Sequence, residues 1–388
     1  MDFDYPPEAT KLRHELRAWL DANLTERLQG AGWANAGDSD HEDLSLLREW
    51  NAKLADAGYA AIAWPEEYGG RGAGVMEQVV LAEEMSRADA PGTLNPIGIA
   101  NIAPSIMAHG TEEQKRRLLP RMLRGDDIWC QGFSEPDAGS DLASLRTSAV
   151  LDGDHYVVNG QKVWNTLGHL ANWCELLVRT DPSVSRHQGI SCLLVDMTLP
   201  GIEVRPLVTI TGERDFNEIF FTDVRVPTSS LLGPENEGWR VAMTTLTHER
   251  GGVAALHVGL RKRIRTLLDV ARSTTIGGRP ASQDPVLRQR LASVYLEGEL
   301  LKLLSDRALS AAIHGREMGP ESSLAKLAWA EAGQHLAEVA ADVLGAVAAD
   351  GPWARDLVSS RSLTVAGGTS EVNKNIIAQR ILGLPRSS

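Results

Sequence analysis

Residues 129–166 read WCQGFSEPDAGSDLASLRTSAVLDGDHYVVNGQKVWNT, and the reading of this stretch decides the fold. Its first third, Phe133 to Asp141, is a polar, Gly-containing loop that follows a short apolar run. Two turn signals come next, Asp152-Gly153 and Asn159-Gly160, on either side of His155-Tyr156-Val157-Val158. Asp-Gly and Asn-Gly between β-branched or aromatic runs are the strongest short-range hairpin signals. The stretch therefore predicts a loop rich in hydroxyls and free N–H groups, mounted on an antiparallel sheet. Such a loop suits an anionic, planar ligand. Taken alone, it reads equally well as an ordinary surface loop between strands.

Outward from this stretch the periodicity changes twice. On the N-terminal side Leu12, Leu16, Trp19 and Leu20 share one helical face, as do Leu47, Trp50 and Leu54. Gly30 to Asp43 and Trp64 to Gly74 read as loops, and Val75 to Ser86 as helix. Thr111 with Gln114 makes a capping box that opens a helix ending near Gly125. From Ile128 to about Pro227 the period is that of strands: Cys174 to Val178, Ile190 to Asp196, Ile202 to Val208 and Asn217 to Val226, bounded by Gly, Pro and Asp. After Leu232-Gly233-Pro234 the chain turns helical. Asp284-Pro285 supplies an N-cap and a Pro at the first helical position, and Gly315, Gly319 and Pro320 separate that helix from the next, Glu321 to Leu344. The expected fold class is α+β and multidomain. An N-terminal α-helical domain covers residues 1–126, a middle antiparallel β domain 127–232 and a C-terminal α-helical bundle 233–388.

Composition narrows the function. The chain is 43% hydrophobic and 23% charged over 388 residues, a globular balance that excludes wholesale disorder and allows two or three domains. Its formal net charge of −12 argues against non-specific binding to nucleic acid or to an anionic membrane. An anionic ligand must then be held by local arginines and backbone donors. Cys130, Cys174 and Cys192 show no CxxC spacing, which predicts a reduced protein with buried thiols. The acidic start MDFDYPPEAT does not resemble a signal or transit peptide, and no apolar run reaches membrane-spanning length, so the expected location is cytoplasmic. There is no GxGxxG after a strand, no GK[ST] and no HExxH among the ten histidines, so Rossmann, P-loop and metal-site readings lack support.

FSEPDAGSD followed by VNGQKVWNT resembles the flavin-binding signature of the acyl-CoA dehydrogenase family. AGGTSEVNKNIIAQRILGLPR, Ala366 to Arg386, is similar to that family's second signature. The order, the separation and the intervening helices also fit, so the resemblance covers essentially the whole chain. It implies FAD as cofactor and α,β-dehydrogenation of an acyl-CoA thioester to the trans-2-enoyl-CoA. A carboxylate would remove the α-proton while hydride leaves the β-carbon for flavin N5. The thioester carbonyl must be polarised so that enolate-like charge is tolerated, and the base must be close and desolvated. The implied partners are the acyl-CoA substrate and electron-transferring flavoprotein.

In many family members the base sits two residues before the Thr of the second signature, where this chain has Gly367. A second group, isovaleryl- and long-chain-type, carries it on a C-terminal-domain helix just before an Arg, and here that segment is Thr247-His248-Glu249-Arg250. The resemblance thus implies Glu249 as catalytic base, Arg250 along the CoA-binding side, and a Gly367 N–H on the thioester oxygen. An arbitrary Glu on a helix is more often a solvated carboxylate; the match at 249–250 and the missing acid at 367 reverse that. The resemblance further puts Gln131, Phe133, Ser134, Gly139 and Ser140 along the isoalloxazine and substrate mouth. Trp164, Asn165 and Thr166 would flank the flavin ring, with Thr369 and Glu371 on its phosphate-ribityl portion. Trp164 taken singly reads as core packing.

Two departures bear on assembly. Where relatives carry an Arg that reaches the FAD of a neighbouring subunit, ARSTTIGGRP has Thr274, with Arg272 and Arg279 out of register. Arg272 is the candidate replacement. The adenine-binding Gln-x-x-Gly-Gly of relatives reads Asp342-Val343-Leu344-Gly345-Ala346 here. A homotetramer and a heterotetramer with a paralogous subunit both stay open. So do two other functions, an oxygen-using oxidase or monooxygenase of the same fold and a non-catalytic subunit of a heteromeric dehydrogenase. Gly367 and Gly368 leave room suited to branched, long or polycyclic acyl groups.

Overall fold

The computed structural model describes residues 5–31, 41–249, 255–314 and 319–385. Arg250 and Gly315 lie outside the described residues, as does most of the Gly30 to Asp43 loop, and Glu249 is described by its helical backbone. Five helices lead the chain: α1 (Pro7–Asn23), α2 (His41–Asp56), α3 (Val75–Ala88), α4 (Ala103–His109) and α5 (Glu112–Arg124). The α5 N-terminus closes as expected, with Thr111 Oγ1 accepting from the Gln114 N–H at 3.2 Å and the Gln114 side chain accepting from the Thr111 N–H at 2.9 Å. Seven strands follow: β1 (Trp129–Gly132), β2 (Ser148–Asp152), β3 (His155–Val163), β4 (Trp173–Arg179), β5 (Ile190–Asp196), β6 (Ile202–Leu207) and β7 (Phe216–Pro227). The rest is mainly helical: α6 (Gly238–Glu249), α7 (Leu256–Ser273), the small hairpin β8 (Thr275–Ile276) and β9 (Arg279–Pro280), then α8 (Pro285–Ile313), α9 (Glu321–Leu344), α10 (Gly351–Ser359) and α11 (Ser370–Ile376).

The chain forms two compact units. One comprises Ala22–Ala73 and Asp89–Glu249, and so holds the whole sheet and α6. Strand order is β1-β4-β2-β3-β7-β6, with β5 added to β4. Pairing is antiparallel except that β4 runs parallel to β1 and touches β2 in parallel at one position. The inward faces pack Cys174, Leu176, Val178, Leu193, Val195, Ile219, Val224 and Val226 into one apolar core, and all three cysteines are buried free thiols.

The other unit comprises Met1–Asp21, Gly74–Ala88 and Arg250–Ser388. Its core is built where α7, α8 and α9 meet, around Leu260, Ile264, Leu267, Val294, Leu301, Leu336 and Val339. Here α1 meets α3 through a buried acid: Glu84 takes Arg17 and Arg87, each at 2.7 Å, and Arg13 at 3.3 Å. Burial pushes the Glu84 carboxyl up, but the arginines outweigh it and hold it below its ordinary range.

One turn signal misleads. Asp152-Gly153 does turn the chain between β2 and β3, with Gly153 at φ +64°. Asn159-Gly160 instead lies inside β3, which runs on past it and pairs with β7 on both sides of a bulge. Gly160 is needed there for closeness rather than for a turn: a Cβ would meet Thr147 Cα at 2.7 Å and its hydroxyl at 2.5 Å, on a backbone of φ +153°. A bulge inserts a residue without ending the ladder. Gly160→Ala should therefore destabilise the protein by about 1–3 kcal/mol, read as a lower urea midpoint, whereas Gly153→Ala meets open space and should cost only about 1 kcal/mol of left-handed backbone strain.

Candidate active site

The Phe133 to Asp141 loop is fastened from beneath by a buried ion pair. Lys162 on β3 is 0% exposed; its Nζ donates to Glu135 Oε1 at 2.9 Å and to Phe133 O at 3.0 Å. Glu135 also accepts from the N–H groups of Arg146 at 2.7 Å and Thr147 at 2.8 Å. Burial pushes the Glu135 carboxyl up, but Lys162 and the N–H donors overcome it and hold it below its ordinary range. Burial pulls Lys162 down, with Glu135 opposing. The two halves of the signature are thus one construction. Val163 N–H donates to Ser134 O at 2.9 Å, and Asn165 Nδ2 donates to Gln131 O at 2.5 Å.

Above this base the expected residues range from exposed to buried. Trp164 holds a left-handed backbone, φ +64°, unusual for a bulky side chain, and is 62% exposed. Its ring meets Phe216 edge-on at 6.0 Å. Phe133 is buried, Gln131, Ser134 and Thr166 are half-buried, and Gly139 and Ser140 are exposed, with open space at Gly139 where a Cβ would point. Asn165 is buried, tied to Asn217 by two hydrogen bonds of 2.9 and 3.1 Å, yet its Oδ1 has no donor. An exposed aromatic platform on a strained backbone, an unfilled acceptor and an open glycine fit a planar heteroaromatic cofactor with hydrogen-bonding edges.

Gly367, Thr369, Glu371 and Arg272 belong to the other compact unit. Gly367 and Gly368 turn at φ +64° and +94°. Lys326 of α9 donates to Gly368 O at 2.7 Å and Leu363 O at 2.9 Å, and Asn373 Nδ2 donates to Gly368 O at 2.9 Å. Thr369 caps α11, accepting from the Val372 N–H at 3.2 Å. Backbone N–H and the Thr369 hydroxyl hold the exposed Glu371 below its ordinary value. Arg272 is exposed and paired with Asp269 at 2.5 Å, and Asp342 is paired with Arg290. Glu249 is the last residue of α6. Sequence reasoning passed over Lys162, Glu135 and the fully buried Glu175 of β4; the signal for Glu175 was an acid inside the apolar run Trp173 to Val178.

Three family models match in succession: the acyl-CoA dehydrogenase N-terminal domain over residues 6–126, the middle domain over 130–224 and the C-terminal domain over 236–382. Among whole-length relatives, acyl-CoA dehydrogenase IpdE1 of Mycobacterium tuberculosis is 40% identical over 390 residues, spanning 98% of this chain and 99% of that one. The chain belongs to the acyl-CoA dehydrogenase family. Acyl-CoA dehydrogenases are FAD-dependent oxidoreductases of lipid metabolism, and this chain has their three-domain fold of N-terminal helices, middle β domain and C-terminal helices. Among solved structures it is similar to the Tcur3481-Tcur3483 steroid ACAD, with TM-score 0.86 and 32% identity, and to the ChsE4-ChsE5 complex from Mycobacterium tuberculosis, with TM-score 0.84 and 35% identity. Each comparison covers 100% of both chains. No helix among the described residues is long and apolar enough to cross a membrane.

Lys162→Met leaves a buried carboxylate without its cation and should cost about 3–5 kcal/mol in urea unfolding. The deficit should shrink at acid pH, where Glu135 takes up a proton and no charge is left unpaired.

Proposed function

We propose that this acyl-CoA dehydrogenase converts its thioester to the trans-2-enoyl-CoA with Glu249 as the base. The observation that carries the reading is an acid in the last turn of α6, followed in sequence by Arg250, in a chain whose alternative base position is Gly367. FAD, when bound, supplies the acceptor for the β-hydrogen. The 131–140 and 164–166 segments would hold its ring, with Thr369 and Glu371 toward its phosphate-ribityl portion. Glu249 takes the α-proton, and the Gly367 N–H stabilises the charge that develops on the thioester oxygen. Arg250 lies along the CoA, Ser140 stands at the substrate mouth, and the Trp164 indole shields the reacting face from water. Electrons pass on to electron-transferring flavoprotein. Glu249→Gln should lower kcat by about 10²–10⁴ while the protein stays yellow; turnover near the unmodified rate would reject the assignment.

For the substrate, the Gly367-Gly368 turn offers no side chain to shorten the pocket. The likeness to a protein described as a steroid ACAD supports a bulky, polycyclic acyl group. For the assembly we favour a heterotetramer with a paralogous subunit. Arg272 is engaged by Asp269 on its own helix, and Asp342, where relatives have Gln, is neutralised by Arg290. Both side chains are thus engaged within this chain rather than turned toward a second copy's flavin. A solved relative described as the ChsE4-ChsE5 complex supports the same reading. Expressed alone, the chain should carry FAD well below one per subunit, and co-expression with the paralogue should restore it. Full occupancy of the isolated chain, measured by flavin absorbance against protein, would favour the homotetramer with Arg272 in the vacant role.

A further inference from the structure

The sheet-bearing unit buries an acid that the proposed chemistry does not use. Glu175 on β4 is 0% exposed. Side chains alternate along a strand, and Cys174, Leu176 and Val178 fill the sheet core, so Glu175 turns to the opposite face. There Thr245 Oγ1, on α6, lies 2.8 Å from Glu175 Oε1 and 2.6 Å from Ser105 Oγ, on α4. All three residues are buried. The second carboxyl oxygen, Oε2, is buried and has no hydrogen-bond partner.

Among the described residues no cation answers Glu175. Its register neighbours are Gln131 on β1 and Leu194 on β5, and the titratable groups that sense its charge are the buried thiols of Cys174 and Cys192. His109 of α4 engages Thr244 instead, at 2.9 Å. An ionised carboxylate there would leave one charged oxygen desolvated and uncompensated, whereas a neutral acid leaves only an uncharged carboxyl oxygen unpaired. Burial accordingly pushes the Glu175 pKa up from 4.5 to about 8, with the Thr245 hydrogen bond opposing the rise.

Thr245 and residue 249 are one turn apart on α6, so a tie at Thr245 fixes the turn that leads to the base. We propose that Glu175 is a positioning residue which, as the neutral acid, anchors the end of α6 through Thr245 and Ser105 and loosens that anchor when it ionises. The catalytic half of this inference rests on the reading of Glu249 as base. The folded protein holds the Glu175 proton up to about 8, whereas the unfolded chain loses it near 4.5. Between those values the unfolded state binds fewer protons, so Glu175 subtracts stability as pH rises from about 4.5 to about 8, and the loss is complete above that.

The test compares the holoprotein with Glu175→Gln, Thr245→Val and Thr245→Ser. Glu175→Gln cannot ionise, so its stability relative to the unmodified protein should rise through the window from about 4.5 to about 8. Amide protection in residues 241–249, corrected for intrinsic base-catalysed exchange, should fall above about pH 8 in the unmodified protein and not in that variant. With an acyl-CoA and an artificial acceptor, the unmodified enzyme should lose kcat above about pH 8 and Glu175→Gln should lack that limb. Thr245→Val should lower kcat about ten- to a hundredfold with KM little changed, and Thr245→Ser should restore it. An infrared titration of the unmodified protein needs no variant to fold: one neutral-carboxyl band should persist to about pH 8. Loss of that band at ordinary carboxyl pH, or identical pH dependence of α6 exchange in the two proteins, overturns the anchor. An anchor that holds while kcat ignores Glu175 and Thr245 overturns the positioning role. Activity in Glu249→Gln overturns the base assignment alone, and the exchange and infrared data still decide the anchor.

Discussion

The pairing of Lys162 with Glu135 is the constraint on which the ligand-facing loop depends. An ammonium with no exposure to water requires a partner of opposite charge, and the pair it forms also takes up Phe133 O and two backbone N–H groups. Five groups from three separated segments are satisfied at one point. Apolar residues could fill the same space at equal or better stability, but they would not dictate which side of the loop faces inward. Because the polar bonding is consumed below, Gly139, Ser140 and the Trp164 ring are left facing out, and the left-handed backbone at Trp164 is sustained by what is fixed on either side of it.

The Asn165 side chain extends the same construction. Its amide nitrogen and backbone are committed to Gln131 and Asn217, so its unfilled Oδ1 is held in one direction at no further conformational cost. A buried acceptor left open in an otherwise saturated network is expensive to maintain. It is accounted for where a ligand donor completes it, and a flavin edge offers such donors.

Local signals were legible in the sequence and non-local ones were not. The Thr111 capping box involves atoms three residues apart, and the β5 and α9 boundaries follow from apolar runs and Gly or Pro punctuation, so each appears as expected. Asn159-Gly160 misled because a turn signal is read from two residues, whereas its fate is set by Thr147 on one side and β7 on the other. Glu175 was marked only by its place inside an apolar run, and Lys162 carried no mark of burial, since its charge is buried through a partner. For Lys162 that partner is 27 positions away. The union of α1 and α3 with the C-terminal helices was hidden for the same reason: the period shows that a face is apolar, not what will cover it. The signature residues themselves were read from family resemblance, which carries position without carrying the physics that holds it.

Lys162 and Glu175 answer one problem in two ways. Both are wholly buried on strands of the same sheet, yet Lys162 meets an opposite charge and several hydrogen-bonding groups, while Glu175 meets one hydroxyl. In the pair, burial and the partner act against each other on both groups. An unpaired acid has only its proton to remove its charge, and once ionised it can regain hydration only if its surroundings open. The signature loop therefore rests on the paired device. The hydroxyl chain into α6 rests on the conditional one, and the difference follows from the number of partners each side chain has within reach.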